Sequence, residues 1–263
     1  MIDLFDLRSK VAIVTGGNQG IGRGIARGLA KAGADIAIAA RRDAENAQAA
    51  EEIKKEFSVR TFPVRLDLLQ PDSIKEMVKK VDDEFGRIDI LVNSAGGNIR
   101  KMPQDYYVEE WDFIIDTNLR GTFLCCQAVY PIMKRGGGGK IINIGSLASI
   151  VGSPRIAPYT ASKGGVLQIT RSLAVAWAKD NIQVNAFLPG HTDTPLTVQA
   201  RKDFPGLNEH VLARTPAGRW GTPADFEGPA IFMASKASDF VSGAYLTVDG
   251  AYTQSLFLIT PVG

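Results

Sequence analysis

Near its start the chain reads Lys10-Val11-Ala12-Ile13-Val14-Thr15-Gly16-Gly17-Asn18-Gln19-Gly20-Ile21-Gly22. The run at residues 10–14 is short, apolar and rich in β-branched side chains, which predicts a buried strand of a parallel sheet. Residues 23–32 carry apolar side chains at helical spacing and predict a helix directly afterwards. A glycine-rich turn between a strand and a helix brings free backbone N–H groups and the positive end of the helix together. The stretch therefore predicts a pyrophosphate site, and a tight turn without a ligand is the alternative.

The alternation of strands and helices continues along the chain, without a linker that would divide it. Further strands are predicted at residues 35–39, 60–66, 88–93, 140–145, 183–188 and 245–248. Helices are predicted at residues 44–57, 73–85 and 111–134, and a further one, which contains Tyr159, precedes residue 183. Repeated βα units predict one α/β domain over residues 1–263. Its fold is expected to be Rossmann-type and doubly wound, with a mostly seven-stranded parallel sheet flanked by helices on both faces.

The composition limits the classes of partner and site. The chain has 30 Lys and Arg against 28 Asp and Glu, with both signs interspersed, so nucleic acid and anionic membranes are not expected as partners. No apolar run reaches membrane-spanning length and no leader-like segment is present, so a cytoplasmic protein is expected. Cys125 and Cys126 are adjacent, which predicts reduced thiols rather than a disulfide. Two histidines without a Cys/His cluster predict no metal site.

A second pattern lies near the middle of the chain, where Tyr159 and Lys163 are four residues apart and Ser146 precedes the tyrosine by thirteen. On a helix, residues four apart share a face, so the phenol and the ammonium can point into one pocket. A free tyrosine has a pKa of about 10, and a fixed positive charge beside it lowers that pKa. The Ser146 hydroxyl can then orient a carbonyl or an alcohol toward the tyrosine oxygen. These residues predict acid–base chemistry, although such a pair also occurs as ordinary helix residues.

Several motifs together resemble the short-chain dehydrogenase/reductase family. They are the Thr-Gly-x-x-x-Gly-x-Gly spacing of Thr15 to Gly22, Asn93-Ser94-Ala95-Gly96, Asn118, Ser146, Tyr159 with Lys163, and Pro189-Gly190-His191-Thr192-Asp193-Thr194. They follow the family's order over nearly the whole chain, and Ser94 departs from it because the family more often has a second asparagine there. The resemblance implies an NAD(P)-dependent dehydrogenase or reductase that acts on CH–OH groups of a small molecule.

The resemblance also implies four catalytic residues: Asn118, Ser146, Tyr159 and Lys163. In oxidation Tyr159 accepts the proton of the substrate hydroxyl while hydride passes to the nicotinamide, and reduction reverses both transfers. Ser146 holds the substrate oxygen and helps to stabilise its developing charge. Asn118 is expected to bend its helix and to hold a water that links Lys163 to solvent. Lys163 is expected to reach the nicotinamide ribose hydroxyls.

The end of the second predicted strand, Ile38-Ala39-Ala40-Arg41-Arg42, bears on the choice of coenzyme. Folds that bind NAD place an acidic residue about 20 positions after the glycines, where it binds the ribose hydroxyls. Alanine stands there in this chain, and a guanidinium can pair with a 2′-phosphate. NADP is therefore predicted, with Arg41 as its main contact. NAD stays possible because Asp43 is close, and the alternative for both arginines is that they are solvated charges.

The predicted coenzyme contacts form one larger set, part of which is implied by the resemblance alone. In the family, the equivalent of Asp67 contacts the adenine, residues 93–96 border the ribose and Thr192 contacts the nicotinamide amide. The full set is Gly16, Asn18, Gln19, Gly20, Ile21, Gly22, Arg41, Arg42, Asp67, Leu68, Asn93, Ala95, Gly96, Tyr159, Lys163, Pro189, Gly190, Thr192 and Thr194.

The substrate side is less constrained by the sequence. The resemblance implies a mobile lid at about residues 194–215, and the segments 216–221 and 234–239 look most like the sugar-acid branch, such as gluconate 5-dehydrogenases and 2-deoxygluconate 3-dehydrogenases. The predicted substrate contacts are Ser146, Tyr159, Arg155 and His191. Arg155 is expected to pair with a substrate carboxylate, helped by His191 or Arg100. The alternative for Arg155 is an exposed loop charge.

Two other functions stay open. One is the reduction of a 3-oxoacyl thioester or another carbonyl by the same chemistry, and the other is a cofactor-binding scaffold without catalysis, against which the complete set of four catalytic residues argues. Members of the family are usually tetramers, and the apolar tail Leu256-Phe257-Leu258-Ile259 indicates surface that needs covering. A homotetramer is therefore expected, with a tail folded back on its own subunit as the alternative.

Overall fold

The computed structural model describes residues 3–255, and its centre is one parallel sheet. The strands of these residues are β1 (Val11–Thr15), β2 (Asp35–Ala40), β3 (Thr61–Arg65), β4 (Ile90–Asn93), β5 (Gly139–Ile144), β6 (Ile182–Pro189) and β7 (Tyr245–Val248). Their order is β3-β2-β1-β4-β5-β6-β7, and every neighbouring pair is parallel. The predicted doubly wound α/β fold is confirmed.

Helices cover both faces of this sheet. They are α1 (Gly20–Lys31), α2 (Asp43–Phe57), α3 (Pro71–Phe85), α4 (Val108–Ile115), α5 (Gly121–Arg135), α6 (Ala157–Trp177), α7 (Pro195–Asp203), α8 (Leu207–Arg214) and α9 (Glu227–Ala234). Successive side chains of β1 point to opposite faces. Ala12 and Val14 therefore pack with α1, α2 and α9 in one buried cluster, whereas Val11 and Ile13 pack with α3 and α5 in the other. Within residues 3–255, no helix has both the length and the hydropathy to cross a membrane.

The helix predicted at residues 111–134 is interrupted in the structure. A π-helical turn at Asp116–Arg120 separates α4 from α5, and Asn118 is fully buried at its centre. The side-chain oxygen of Asn118 accepts a hydrogen bond from Gly97 N at 2.8 Å, and its amide donates to Gly97 O at 2.9 Å. Single π turns inside α-helices often mark functional sites. The bend expected at Asn118 is thus a local widening that lets its side chain hold a neighbouring loop.

Residues 194–215, where the sequence predicts a lid, contain the helices α7 and α8, which the sequence did not predict. The Thr194 side chain caps α7 by accepting a hydrogen bond from Thr197 N at 3.4 Å. Whether this segment moves over a substrate stays a prediction. The apolar tail at residues 256–259 lies outside the described residues.

The position of α1 depends on close backbone contact with the region around α9. A Cβ on Gly24 would lie 2.0 Å from the carbonyl oxygen of Pro223, and a Cβ on Gly28 would lie 2.7 Å from Glu227 Cα. Neither distance is possible for a real side chain, so α1 approaches this region only because both positions are glycine. The glycine-rich turn that precedes α1 is held in place by the same contact.

We expect Gly24→Ala to lower the free energy of unfolding by at least about 2 kcal/mol, because the added methyl group must push backbone away. The matched control is Gly228→Ala, because Gly228 lies in α9 and a Cβ at that position would have no neighbouring atom within 4 Å. There the methyl group should raise stability by up to about 1 kcal/mol through helix propensity. Urea unfolding followed by circular dichroism measures both, and equal stabilities would contradict the packing argument.

Candidate active site

A cavity of about 330 Å³ lies at the carboxyl ends of the strands, where the turns after β1, β2, β4, β5 and β6 meet. Nineteen residues predicted from the sequence line it: Gly16, Asn18, Gln19, Gly20, Ile21, Gly22, Arg41, Arg42, Asp67, Leu68, Ala95, Gly96, Ser146, Tyr159, Lys163, Pro189, Gly190, Thr192 and Thr194. They come from segments far apart in the chain. The parallel sheet brings them together because its strands end at one edge.

The glycine-rich turn has the geometry that an anion site needs. Gly16 has φ +67° and Gly20 has φ +55°, a region that favours glycine. A Cβ on Gly22 would lie 2.4 Å from Gly16 O, so a side chain there would fill the turn. The N-cap residue of α1, Gln19, makes no side-chain capping hydrogen bond, which leaves the first N–H groups of the helix open to a ligand. The turn therefore fits the pyrophosphate of a dinucleotide.

Asn46, which the sequence reasoning missed, ties this turn to the ends of two strands. It is fully buried in α2. Its side-chain oxygen accepts a hydrogen bond from Asn18 Nδ2 at 2.9 Å, and its amide donates to Ala40 O at 2.9 Å and to Val64 O at 3.2 Å. The available signal was an asparagine three positions before the apolar face of α2, where a polar side chain needs a partner.

Asn93 does not line the cavity but lies beneath it. Its amide donates to Asn143 Oδ1 at 2.9 Å and to Cys126 Sγ at 3.2 Å. The turn above it is held by Thr15, whose hydroxyl oxygen accepts hydrogen bonds from Ser94 N at 3.0 Å and Ala95 N at 3.1 Å. The side chain of Asn93 thus fixes the strand end beneath the cavity, and its predicted contact with a coenzyme stays a prediction.

The structure brings the predicted catalytic residues Ser146, Tyr159 and Lys163 into one wall of the cavity. The Ser146 hydroxyl favours the ionised form of the Tyr159 phenol. The Lys163 side chain is only 6% exposed, donates a hydrogen bond from Nζ to Ile144 O at 2.7 Å, and has Nζ 5.7 Å from the centre of the Tyr159 ring. Serine, phenol and amine are thus neighbours on the α6 side of the cavity.

The expected lowering of the tyrosine pKa is wrong for this arrangement of side chains. Burial raises the pKa of Tyr159, and the Ser146 hydroxyl and the charge of Arg100 only partly oppose this rise. Burial also lowers the pKa of Lys163 to about 8. The physical reason is that Nζ lies against the ring and binds Ile144 O, so desolvation outweighs attraction between the two charges.

Asn118 lies one layer behind the cavity. Its amide also donates to Ser162 Oγ at 3.2 Å, so the whole side chain is occupied by Gly97 and α6. A Cβ on Gly96 would lie 2.9 Å from Asn118 Oδ1 and 3.8 Å from Lys163 Nζ. Asn118 therefore positions the loop in front of Lys163, and its water-binding role stays a prediction.

Two predicted substrate residues are not among those that line the cavity. Arg155 is exposed, and its guanidinium lies 5.8 Å from the centre of the Phe204 ring. His191 packs edge-to-face against Trp220 and Tyr252, with ring centres 5.5 Å and 5.1 Å apart, and lines a separate cavity. Burial there lowers the pKa of His191 to about 4.

Arg100 is also not among the residues that line the cavity, but its charge reaches Tyr159, the predicted catalytic tyrosine. It is half-buried in the loop after β4, and its charge favours the ionised form of Tyr159. Among residues 3–255 it has neither an ion-pair partner nor a side-chain hydrogen bond. A half-buried guanidinium without a carboxylate is available for an anionic ligand.

The structure adds cavity-lining residues that the sequence did not predict. Phe113, Leu196 and Thr197 line it, and Thr117 does so from the π-helical turn. The Thr117 hydroxyl is buried without a hydrogen-bond partner in the described part of the chain, which makes it a candidate ligand contact. In the same part of the chain, no group of three His, Cys, Asp or Glu side chains could hold a metal ion.

Comparison with known proteins gives near full-length matches. A family model described as enoyl-(acyl carrier protein) reductase matches residues 16–253. A 2-dehydro-3-deoxy-D-gluconate 5-dehydrogenase of Dickeya dadantii is 42% identical over 96% of this chain and 98% of its own length. A gluconate 5-dehydrogenase of Gluconobacter oxydans is 37% identical over 97% and 98%. The crystal structure of a gluconate 5-dehydrogenase from Burkholderia cenocepacia, in complex with NADP and tartrate, superposes with a TM-score of 0.92 at 38% identity, covering 97% of this chain and 99% of that one.

The burial of Lys163 predicts a pH dependence of stability. An unfolded lysine has a pKa of about 10.4, against about 8 for Lys163 in the folded protein. Between these values the unfolded state binds more protons, so the stability contributed at this site rises with pH, by up to about 3 kcal/mol. Urea unfolding between the two pKa values should show stability increasing more steeply with pH in the unaltered protein than in Lys163→Met.

The control for this experiment is Lys179→Met, which removes an exposed lysine just after the same helix. Its stability should follow the unaltered protein at every pH. Parallel pH profiles for Lys163→Met and the unaltered protein would show that the Lys163 amine is not buried as described.

Proposed function

This chain belongs to the short-chain dehydrogenase/reductase family, and we propose that it interconverts a secondary alcohol and a ketone on a sugar acid, with NADP as hydride carrier. The resemblance seen in the sequence motifs is confirmed at the level of the family. The observation that carries the proposal is the meeting of Ser146, Tyr159 and Lys163 with the glycine-rich turn in a single cavity. The sheet brings these positions to one edge, but nothing about folding requires a serine, a tyrosine and a lysine at them.

The residues of the chain supply proton handling and orientation. Bound NADP would take up or return the hydride. Tyr159 exchanges a proton with the substrate oxygen, and Ser146, which contacts the phenol, donates a hydrogen bond to that oxygen. Lys163, with a pKa of about 8, keeps most of its charge at neutral pH and favours the tyrosinate while the proton is away.

The end of β2 supports NADP as the preferred coenzyme. No carboxylate occupies the end of this strand, and Arg41 lines the cavity without an ion-pair or hydrogen-bond partner for its side chain among the described residues. A free guanidinium suits a 2′-phosphate. The Burkholderia cenocepacia relative, of the same fold, was crystallised with NADP.

Arg100 is the residue best placed for the carboxylate of a sugar acid. Relatives at about 40% identity are named for gluconate derivatives, and the Burkholderia cenocepacia complex contains tartrate, a hydroxy acid. Arg100 acts on Tyr159 and has no carboxylate partner of its own among residues 3–255, whereas Arg155 lies over Phe204. We therefore assign the substrate carboxylate to Arg100 in place of Arg155.

The proposal also includes a lid over the cavity, a homotetrameric assembly and a cytoplasmic location. The start of α7 lines the cavity at Pro195 and Leu196, which supports a lid at residues 194–215. Exposed Trp111, Phe123 and Val175 on the outer helices support a homotetramer. The free, buried thiols support a cytoplasmic location, since that compartment keeps cysteines reduced.

A substrate screen tests the reaction. Purified protein should oxidise aldonates with NADP, and Tyr159→Phe should lower kcat by about 100-fold or more, while the Kd for NADPH stays unchanged. The control Tyr107→Phe, at an exposed tyrosine, should leave both values unchanged. Faster turnover of an acetoacetyl thioester than of any sugar acid would favour the thioester reductase, and NADPH binding without turnover of any compound would favour a scaffold.

Steady-state kinetics of two arginine variants test the carboxylate site. Arg100→Ala should raise KM for the best aldonate by about 10- to 100-fold, because a charge-assisted hydrogen bond is lost. Arg100→Lys should recover part of this loss, and a neutral polyol should be affected far less. Arg155→Ala should leave KM nearly unchanged, and the reverse pattern would return the carboxylate to Arg155.

A further inference from the structure

Three arginines and two acidic residues meet where β2 and β3 end and α2 begins. Arg41 and Arg42 follow β2, Arg65 ends β3, and Asp43 and Glu45 lie in the first turn of α2. Arg41 and Arg42 both line the cavity at the carboxyl ends of the strands. The two carboxylates stabilise α2, because negative charges are favourable near a helix N-terminus.

The three arginines differ in how many ion-pair and hydrogen-bond partners their guanidinium groups have. Arg42 has both terminal nitrogens occupied: Nη1 is 2.9 Å from Glu45 Oε1, and Nη2 donates to Gln19 Oε1 at 2.9 Å. Arg65 Nη1 lies 3.3 Å from Asp43 Oδ2. Arg41 has no partner of this kind for its side chain within residues 3–255.

We propose that Glu45 sets the strength of the preference for NADP over NAD, by competing with the 2′-phosphate for Arg42. This inference rests on the proposed function. A 2′-phosphate that reaches Arg42 must displace the Glu45 carboxylate or share the guanidinium with it, since both outer nitrogens are engaged. Arg41 needs no such displacement, so its contribution to the affinity for the 2′-phosphate does not depend on Glu45. Glu45 limits only the further affinity that Arg42 can add.

Gln19 fixes the position of the Arg42 side chain for which Glu45 and the 2′-phosphate compete. Its side chain belongs to the glycine-rich turn, and by accepting a hydrogen bond from Arg42 it joins the turn to the start of α2. Arg42 is thereby held at the cavity whether or not Glu45 binds it. Removal of the Glu45 charge should free the guanidinium in place, without a rearrangement of the site.

The test compares two nucleotides that differ only in the 2′-phosphate. Isothermal titration calorimetry at low salt gives the Kd of the full-length protein for adenosine 2′,5′-bisphosphate and for adenosine 5′-monophosphate. Glu45→Gln should lower the Kd for the bisphosphate by about threefold to tenfold, because the variant loses one exposed ion pair and one negative charge near the phosphate. The Kd for the monophosphate should stay unchanged. The ratio kcat/KM for NADP over NAD should rise by a similar factor.

Two further variants make the result specific. Glu51→Gln makes the same chemical change at an exposed position of α2, away from the arginines, and should change neither Kd. In an Arg42→Gln background, Glu45→Gln should alter the bisphosphate Kd by less than about twofold, because the residue for which the acid competes is gone. Thermal denaturation confirms that each variant is folded.

An unchanged bisphosphate Kd in Glu45→Gln overturns the inference, and so does a full effect that persists without Arg42. These outcomes leave the proposed function intact as long as both nucleotides bind the unaltered protein. If neither nucleotide binds it, the coenzyme assignment itself fails, and the inference fails with it.

Discussion

The site depends on how closely the backbones leaving β1 and β4 approach each other. These strands are neighbours at the point where the strand order reverses, which is where open α/β sheets bind ligands. A Cβ on Gly16 would lie 3.0 Å from Ala95 Cα, and the Thr15 hydroxyl accepts hydrogen bonds from the two N–H groups of the opposite turn. One glycine without a side chain and one threonine thus fix the distance between the phosphate cradle and the loop in front of Lys163. Asn46 and Asn118 extend this fixation to α2 and to the π-helical turn.

The pKa values of Tyr159 and Lys163 depend more on burial than on charge pairing. A cation four residues away stabilises a phenolate only if its charge reaches the oxygen, and here the Lys163 ammonium lies over the ring and against Ile144 O. Desolvation therefore raises the pKa of Tyr159 and lowers that of Lys163. The two groups that oppose the rise at Tyr159 are Ser146 and Arg100, one of which is proposed to hold the substrate oxygen and the other its carboxylate. In that proposal, the same two side chains would couple substrate binding to proton transfer.

Features that depend on local or repeated sequence patterns could be predicted. Features whose conformation depends on a single tertiary contact could not. Strand β1 and the glycine-rich turn could be predicted because an apolar run followed by glycines has few other structures. The convergence of Ser146 with Tyr159 could be predicted because parallel strands end at one edge. The π turn at Asn118 could not, since its cause is Gly97, in another loop. Asn46 was missed for the same reason, because its three partners lie on three separate elements. The sequence favoured Arg155 over Arg100 for a substrate carboxylate, and only their neighbours in the structure reverse that preference.

The motif that follows β6 contributes residues to two different cavities. Gly190, Thr192 and Thr194 line the cavity at the strand ends, whereas His191 lines the second one. The chain bends at His191, so a residue inside this motif can face away from the cavity that its neighbours line. On that far side His191 packs between Trp220 and Tyr252, which are in turn covered by Arg201 of α7 at 4.5 Å and Arg214 of α8 at 4.7 Å from their ring centres. Cation–aromatic contacts of this kind stabilise each pair modestly, but together they connect both helices of the segment at residues 194–215 to the end of β6. His191 is thus linked to the cavity at the strand ends only indirectly, through α7, whose first residues line that cavity, and its neutral state keeps a further positive charge out of the cluster.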